Sequence, residues 1–171
     1  MLALPVALFA FAASALAATP APPPLTYLYS VNLTFGEPIN IGSVPYGNRD
    51  LLTISGGAFS GPKLTGTIPP YRAPLQDQTD KITPLPTGKV AGGLDWGLTN
   101  SKGVFSPDAI YVLKTNDNAS IAVFEKGYAP NVHILFETSS PKYAWLNSAV
   151  AYAGGGPFEG GVALDVWQIG V

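Results

Sequence analysis

Few side chains in this sequence are equipped for chemistry, and their scarcity narrows the options. There is no Cys and only one His, His133. Disulfides, thiolate nucleophiles and cysteine-held metals are therefore excluded, as is any mechanism needing two imidazoles. No serine stands in a G-x-S-x-G turn, so a hydrolase triad would have to route everything through His133. Gly154-Gly155-Gly156 lacks the G-x-x-x-x-G-K-[ST] pattern of a phosphate loop. What remains is a handful of carboxylates and arginines suited to proton transfer or to holding an oxyanion.

Asp95-Trp96 follows Gly92-Gly93, so the chain is free to bend just before the pair. In an apolar mouth the carboxyl would carry a raised pKa and act as general acid or base, with Trp96 against the ligand. Alternatively Asp95 bonds local backbone amides while Trp96 packs. Arg49 follows the turn Pro45-Tyr46-Gly47-Asn48. Its planar guanidinium suits a ligand carboxylate, phenolate or carbonyl, or else an internal ion pair with Asp95 or Glu137. In Val132–Thr138, alternation puts Val132, Ile134, Phe136 and Thr138 on one face, and His133, Leu135 and Glu137 on the other. Residues two apart on a strand lie about 7 Å apart, so His133 and Glu137 form either an acid–base pair in a lumen or part of a solvated outer face. The catalytic candidates are thus Asp95, Glu137 and Arg49. Tyr27, Tyr29, Tyr111, Tyr143, Tyr152, Trp145 and Trp167 form an aromatic set that would line a cavity for a flat or phenolic ligand, or simply pack. Trp96, Tyr143, Trp145 and His133 are the candidate ligand contacts. No cofactor or metal is expected.

The elements that must position these groups read as strands. The chain has 171 residues with 19 Gly and 17 Pro, a composition that disfavours a helical bundle and favours strands joined by turns. Short alternating runs recur at Leu25–Phe35, Leu51–Ser55, Lys63–Ile68, Asp95–Leu98, Ala109–Thr115, Ala119–Glu125, Val132–Thr138 and Val162–Ile169. Asn116-Asp117-Asn118 sits between two of them as a hairpin turn. No segment keeps a 3.6-residue period; Lys142–Tyr152 is the best helical candidate but suits a strand or a short turn equally. The expected fold is all-β, a single antiparallel barrel of the lipocalin-like or similar small closed type. Five prolines fall between Pro69 and Ala91, which reads as a long excursion over one barrel mouth, either a lid or a mobile insertion.

The N-terminal MLALPVALFAFAASALA carries no charged side chain and is apolar throughout. It is shorter than the ~20 residues of a spanning helix, and Ala15-Leu16-Ala17 offers the small-x-small pattern of signal cleavage after Ala17. Residues 18–24 then form a Pro-rich spacer, leaving 25–171 as the barrel domain. Asn32-Leu33-Thr34 and Asn118-Ala119-Ser120 are glycosylation sequons. A secreted protein with no stable membrane anchor after cleavage follows as the expectation. A net charge of −2 gives no reason to expect a nucleic-acid partner.

Gly47-Asn48-Arg49, Gly56 through Gly66 (GGAFSGPKLTG), Gly93-Leu94-Asp95-Trp96, Tyr111 through Ile121 (YVLKTNDNASI), Phe136-Glu137-Thr138 and Tyr143 through Asn147 (YAWLN) occur in an ordered series. That series resembles domain of unknown function 3237, also called UPF 0311, over nearly the whole chain from Leu25 to Ile169. The resemblance implies a single-domain antiparallel β-barrel and, the family being named for its unknown function, little chemistry. Three departures stand out. Asp117-Asn118-Ala119 replaces the family's Asp-Gly-Ala, with Asn118 the next-best residue for a positive-φ turn position. The passage from Gly66 to Gly93 is longer than the family's direct run. A secretory leader is atypical of bacterial members, which suggests a fungal-type one.

Two functional classes stay open. One is a secreted, cofactor-free catalyst of isomerisation, cyclisation or dehydration on a small aromatic or apolar metabolite. The other is a non-catalytic ligand- or carbohydrate-binding or structural protein. The oligomeric state is left open.

Overall fold

The computed structural model describes residues 19–68 and 92–170; the expected leader, 1–17, and the Pro-rich passage 69–91 lie outside the described residues. Eleven strands follow one another: β1 (Leu25–Phe35), β2 (Ile39–Val44), β3 (Gly47–Ser60), β4 (Thr65–Ile68), β5 (Gly93–Thr99), β6 (Phe105–Ser106), β7 (Asp108–Thr115), β8 (Ser120–Tyr128), β9 (Asn131–Glu137), β10 (Val150–Phe158) and β11 (Gly161–Ile169). A 3₁₀ helix, Pro141–Ser148, precedes β10. All eight runs read from the sequence lie within or overlap these strands. Three strands escaped that reading, among them the two-residue β6. β2 is a short outer hairpin partner of β3, and β10 contains Gly154-Gly155-Gly156, whose lack of side chains hides the alternation.

The strands close on themselves. Around the barrel run β1, β11, β10, β9, β8 and β7, then one position shared by β4 and β5, then β3, which pairs back onto β1. β4 and β5 stack end to end between β3 and β7: Gly57 faces Ile68 and Ile54 faces Gly93 on one side, while Thr67 faces Lys114 and Gly93 faces Tyr111 on the other. The wall thus leaves off at Ile68 and resumes at Gly92, whose carbonyl accepts from the Val112 N–H at 2.9 Å. Closure requires tight crossings. A Cβ on Gly57 would lie 2.1 Å from the Asn32 carbonyl oxygen, and one on Gly93 would lie 2.3 Å from that of Ile110. At both places only glycine lets the strands meet.

Alternation sorts the side chains. β7 points Ala109, Tyr111, Leu113 and Thr115 inward, β8 points Ile121, Val123 and Glu125, and β9 points Val132, Ile134 and Phe136. The two ends differ. At one end the β7–β8 turn and the 3₁₀ helix form a plug, with Tyr143 and Leu146 buried; complete burial of a residue such as Leu146 stabilises the fold by roughly 2 kcal/mol. Asn118 in that turn has φ of 70°, the left-handed conformation that the sequence demanded of it. At the other end, where β1, β8 and β10 finish, the lumen is not filled.

Candidate active site

The unfilled half of the barrel is a cavity of about 310 Å3. Its wall is almost wholly apolar, including Leu33, Phe35, Ile54, Phe105, Val132 and Leu164, with Gly155, Gly156 and Gly161 leaving one side free of bulk. Two lining residues break the pattern, Asp95 and Glu125, and among the described residues no Lys, Arg or His accompanies them. Both are buried, at 4% and 6% exposure.

Register brings them together. Asp95 of β5 pairs with Ala109 of β7, and Ala109 pairs with Glu125 of β8. The three therefore form one inward row across adjacent strands spaced about 4.8 Å apart. A methyl group between the two carboxyls leaves a notch that a larger side chain would fill. Asp95 Oδ1 accepts from the Asp108 N–H at 2.9 Å. Glu125 Oε2 accepts from the Tyr111 hydroxyl at 3.2 Å. Tyr111 lies two residues deeper on β7, beside the fully buried Tyr29. The carboxyls thus stand on a floor of phenols and face an apolar chamber.

Electrostatics follow from this placement. Burial is the main force on Asp95, lifting its pKa from 3.8 to about 6; the Asp108 N–H pulls against the rise, the Asp108 charge adds to it, and the Arg49 charge reduces it. Burial likewise lifts Glu125 from 4.5 to about 7, reinforced by the negative charge of Asp95 and opposed by the Tyr111 hydrogen bond. Two interacting acids titrate as a pair, in steps near 6 and 7. Between those values the pair holds one proton, so the site presents a carboxylic acid and a carboxylate at once. Burial also pushes the Tyr29 and Tyr111 phenols well up, helped by the Glu125 charge. Among the described residues no group of three or more His, Cys, Asp or Glu is placed to hold a metal ion.

The sequence candidates fall differently around this cavity. Asp95 lines it. Glu137 does not: it is exposed on the outer face of β9 with His133 and Leu135, because Val132, Ile134 and Phe136 occupy the inner one. The inward acid is instead Glu125, in phase with buried Ile121 and Val123. Arg49 is on the outside too. It makes no ion pair with Asp95 or Glu137, and its Nη1 donates to the Trp96 carbonyl at 2.6 Å. Trp96, one residue from Asp95, faces out and is 47% exposed.

The aromatic set also divides. Tyr29 and Tyr111 are core. Tyr143 and Trp145 belong to the plug, where the Tyr143 hydroxyl donates to Asp117 at 3.0 Å and Lys63 lies over the Trp145 ring. Trp167 of β11 stacks on Tyr152 of β10 and meets Tyr27 of β1 edge-on. None of the four expected ligand contacts, Trp96, Tyr143, Trp145 and His133, lines the cavity; its aromatic lining is Phe35 and Phe105. Asn32 and Asn118 of the two sequons are both exposed.

Comparison with known proteins adds a lineage to this geometry. The family model described as "Protein of unknown function (DUF3237)" matches residues 23–131. This chain belongs to the DUF3237 family. One DUF3237 relative, the "Hydroalkoxylation enzyme phnH" of Penicillium herquei, is 34% identical over 164 residues, spanning 96% of this chain and 95% of the relative. A crystal structure of an enzyme from the same fungus superposes with a TM-score of 0.70 at 31% identity, covering 90% of this chain and 99% of that one. A "beta-barrel like protein" from Acinetobacter baumannii gives a TM-score of 0.71 at 27% identity, covering 89% and 99%. The barrel is thus common to this chain and these solved neighbours, one of them described as an enzyme.

Proposed function

We propose that this protein is a secreted, cofactor-free enzyme that adds a hydroxyl group across a carbon–carbon double bond within one small, uncharged aromatic or apolar metabolite, closing a cyclic ether. The reading rests on one observation above all: the Asp95–Ala109–Glu125 row, which sets two carboxyls of raised pKa side by side in an apolar chamber. The name of the Penicillium herquei relative supports the reaction class. A chamber of about 310 Å3 is near the lower end of small-molecule sites, which favours one molecule carrying both reacting groups. The two carboxyls, with no cation beside them among the described lining residues, disfavour an anionic substrate.

The step balances without an oxidant or co-reactant. Glu125, the weaker acid, donates its proton to one alkene carbon. The substrate oxygen bonds to the other carbon, and its proton passes to the Asp95 carboxylate. The product is an isomer of the substrate, and proton exchange with water or between the two carboxyls restores the starting state. The apolar lining of the chamber strengthens both transfers. Secretion is supported by the apolar leader ending in Ala15-Leu16-Ala17 and by the exposure of both sequon asparagines.

The test is incubation with phenols carrying an ortho alkenyl chain in D2O. The expected product is a cyclic ether with one deuterium on carbon and a single handedness, formed by the native protein and not by Glu125→Gln. Ether formation undiminished in both Glu125→Gln and Asp95→Asn would contradict the assignment.

A further inference from the structure

Three of the candidate site residues that miss the cavity come together elsewhere, while Tyr143 and Trp145 remain in the plug. Arg49, Trp96 and His133 meet on the outer surface of the same wall, in a groove of about 500 Å3 that also includes Leu98, Lys126 and Tyr128. The geometry points to a second binding site there, for a small aromatic carboxylate.

Three observations carry this. First, the groove gathers Arg49, Lys126 and His133 against a single carboxylate, Asp108, which Lys126 already engages at 2.7 Å. Among the described residues Arg49 has no carboxylate partner, although it is half-buried. On a chain of net charge −2, this is a local concentration of positive charge, and an unpaired guanidinium in a groove is the usual receptor for a planar anion. Second, the guanidinium is fixed, because Nη1 donates to the Trp96 carbonyl at 2.6 Å; a held fork loses less freedom on binding than a mobile lysine. Third, two large rings stand out of the wall beside it, Trp96 at 47% and Tyr128 at 68% exposure. Exposed rings bordering a cation offer faces for a flat apolar body. The occupant that satisfies all three is a flat ring bearing a carboxylate, the kind of molecule that the carboxyl-lined inner cavity repels.

The experiment is calorimetric titration of the full protein with 2-naphthoate, and separately with its neutral isostere 2-naphthamide. The expected result is one-to-one binding of naphthoate, with naphthamide about tenfold weaker or worse, since the carboxylate supplies the charge-assisted hydrogen bonds. Arg49→Gln and Trp96→Ala should each weaken naphthoate by about tenfold. Ala109→Leu, which fills the inner notch, should leave it unchanged. Trp96 is exposed, so its variant reports on the groove even if Arg49→Gln disturbs the fold. No binding, equal affinity for the amide, indifference to both groove variants, or loss of binding in Ala109→Leu would each overturn the proposal.

Discussion

The two ends of this barrel put the same functional group to opposite uses. At the plugged end Asp117 is exposed and held by Lys142 at 2.5 Å, by the Thr115 hydroxyl and by the Tyr143 hydroxyl. Those hydrogen bonds and the Lys142 charge drive its carboxyl far below the usual carboxylate range. At the hollow end Asp95 and Glu125 are buried, no cation among the described residues lines their cavity, and their carboxyls are pushed up to about 6 and about 7. Asp117 is a permanent anion that ties a turn to a helix. The inner pair is a reservoir for one proton at neutral pH. Burial without a counter-ion, rather than residue type, separates the structural acid from the candidate catalytic one.

The largest expected effect comes from deleting the proton at the hollow end. Glu125→Gln should lower turnover by about 10²–10⁴-fold, the usual worth of a positioned general acid, with circular dichroism and melting little changed. Asp117→Asn makes the reverse case. It should lower the melting temperature while keeping activity within about twofold, because it alters none of the groups that move a proton. If Asp117→Asn cost more activity than Glu125→Gln, the division of labour between the ends would be wrong.

Stability should depend on pH with opposite sign at the two ends. Native Asp95 and Glu125 keep their protons up to about pH 6 and 7, whereas the unfolded chain releases them near 3.8 and 4.5. The native state therefore binds more protons across that window, and this contribution to stability is present below about pH 4 and lost as pH rises to 7. The shift at Glu125 corresponds to a cost on the order of 3 kcal/mol at neutral pH. Asp117 works the other way: its contribution is present above the ordinary carboxylate pKa and is lost on acidification below it. The double variant Asp95→Asn/Glu125→Gln should accordingly be more stable than the native protein at pH 8 and no more stable at pH 4, as measured by chemical denaturation. A smaller effect is expected beneath the site. Tyr111→Phe removes the hydrogen bond that favours the ionised Glu125, so the alkaline limb of the activity profile should move up by about one pH unit or less. A downward move would mean that the phenol plays another part.

The barrel was legible because alternation survives in most strands, and β10 was missed where three glycines erase it. Asp95 was legible as a candidate because Gly93 precedes it at a tight crossing. Glu125 was overlooked although its phase with Ile121 and Val123 marks an inward carboxylate, while Glu137 shares a phase with His133, the polar side of its strand. The flaw lay in treating the two faces of β9 as interchangeable; a strand carrying Val132, Ile134 and Phe136 in phase buries that face. Arg49 was not placeable by pattern. Its side depends on pairing with Leu98, a long-range register that no local spacing encodes.

Asp95 and Glu125 are expected to share a proton near neutrality. Carbon NMR titration of the side-chain carboxyls tests it most directly. Two coupled midpoints, near 6 and 7, are predicted for these residues, with Asp117 already ionised at the acidic end of the titration. Midpoints near 4 for both would contradict it.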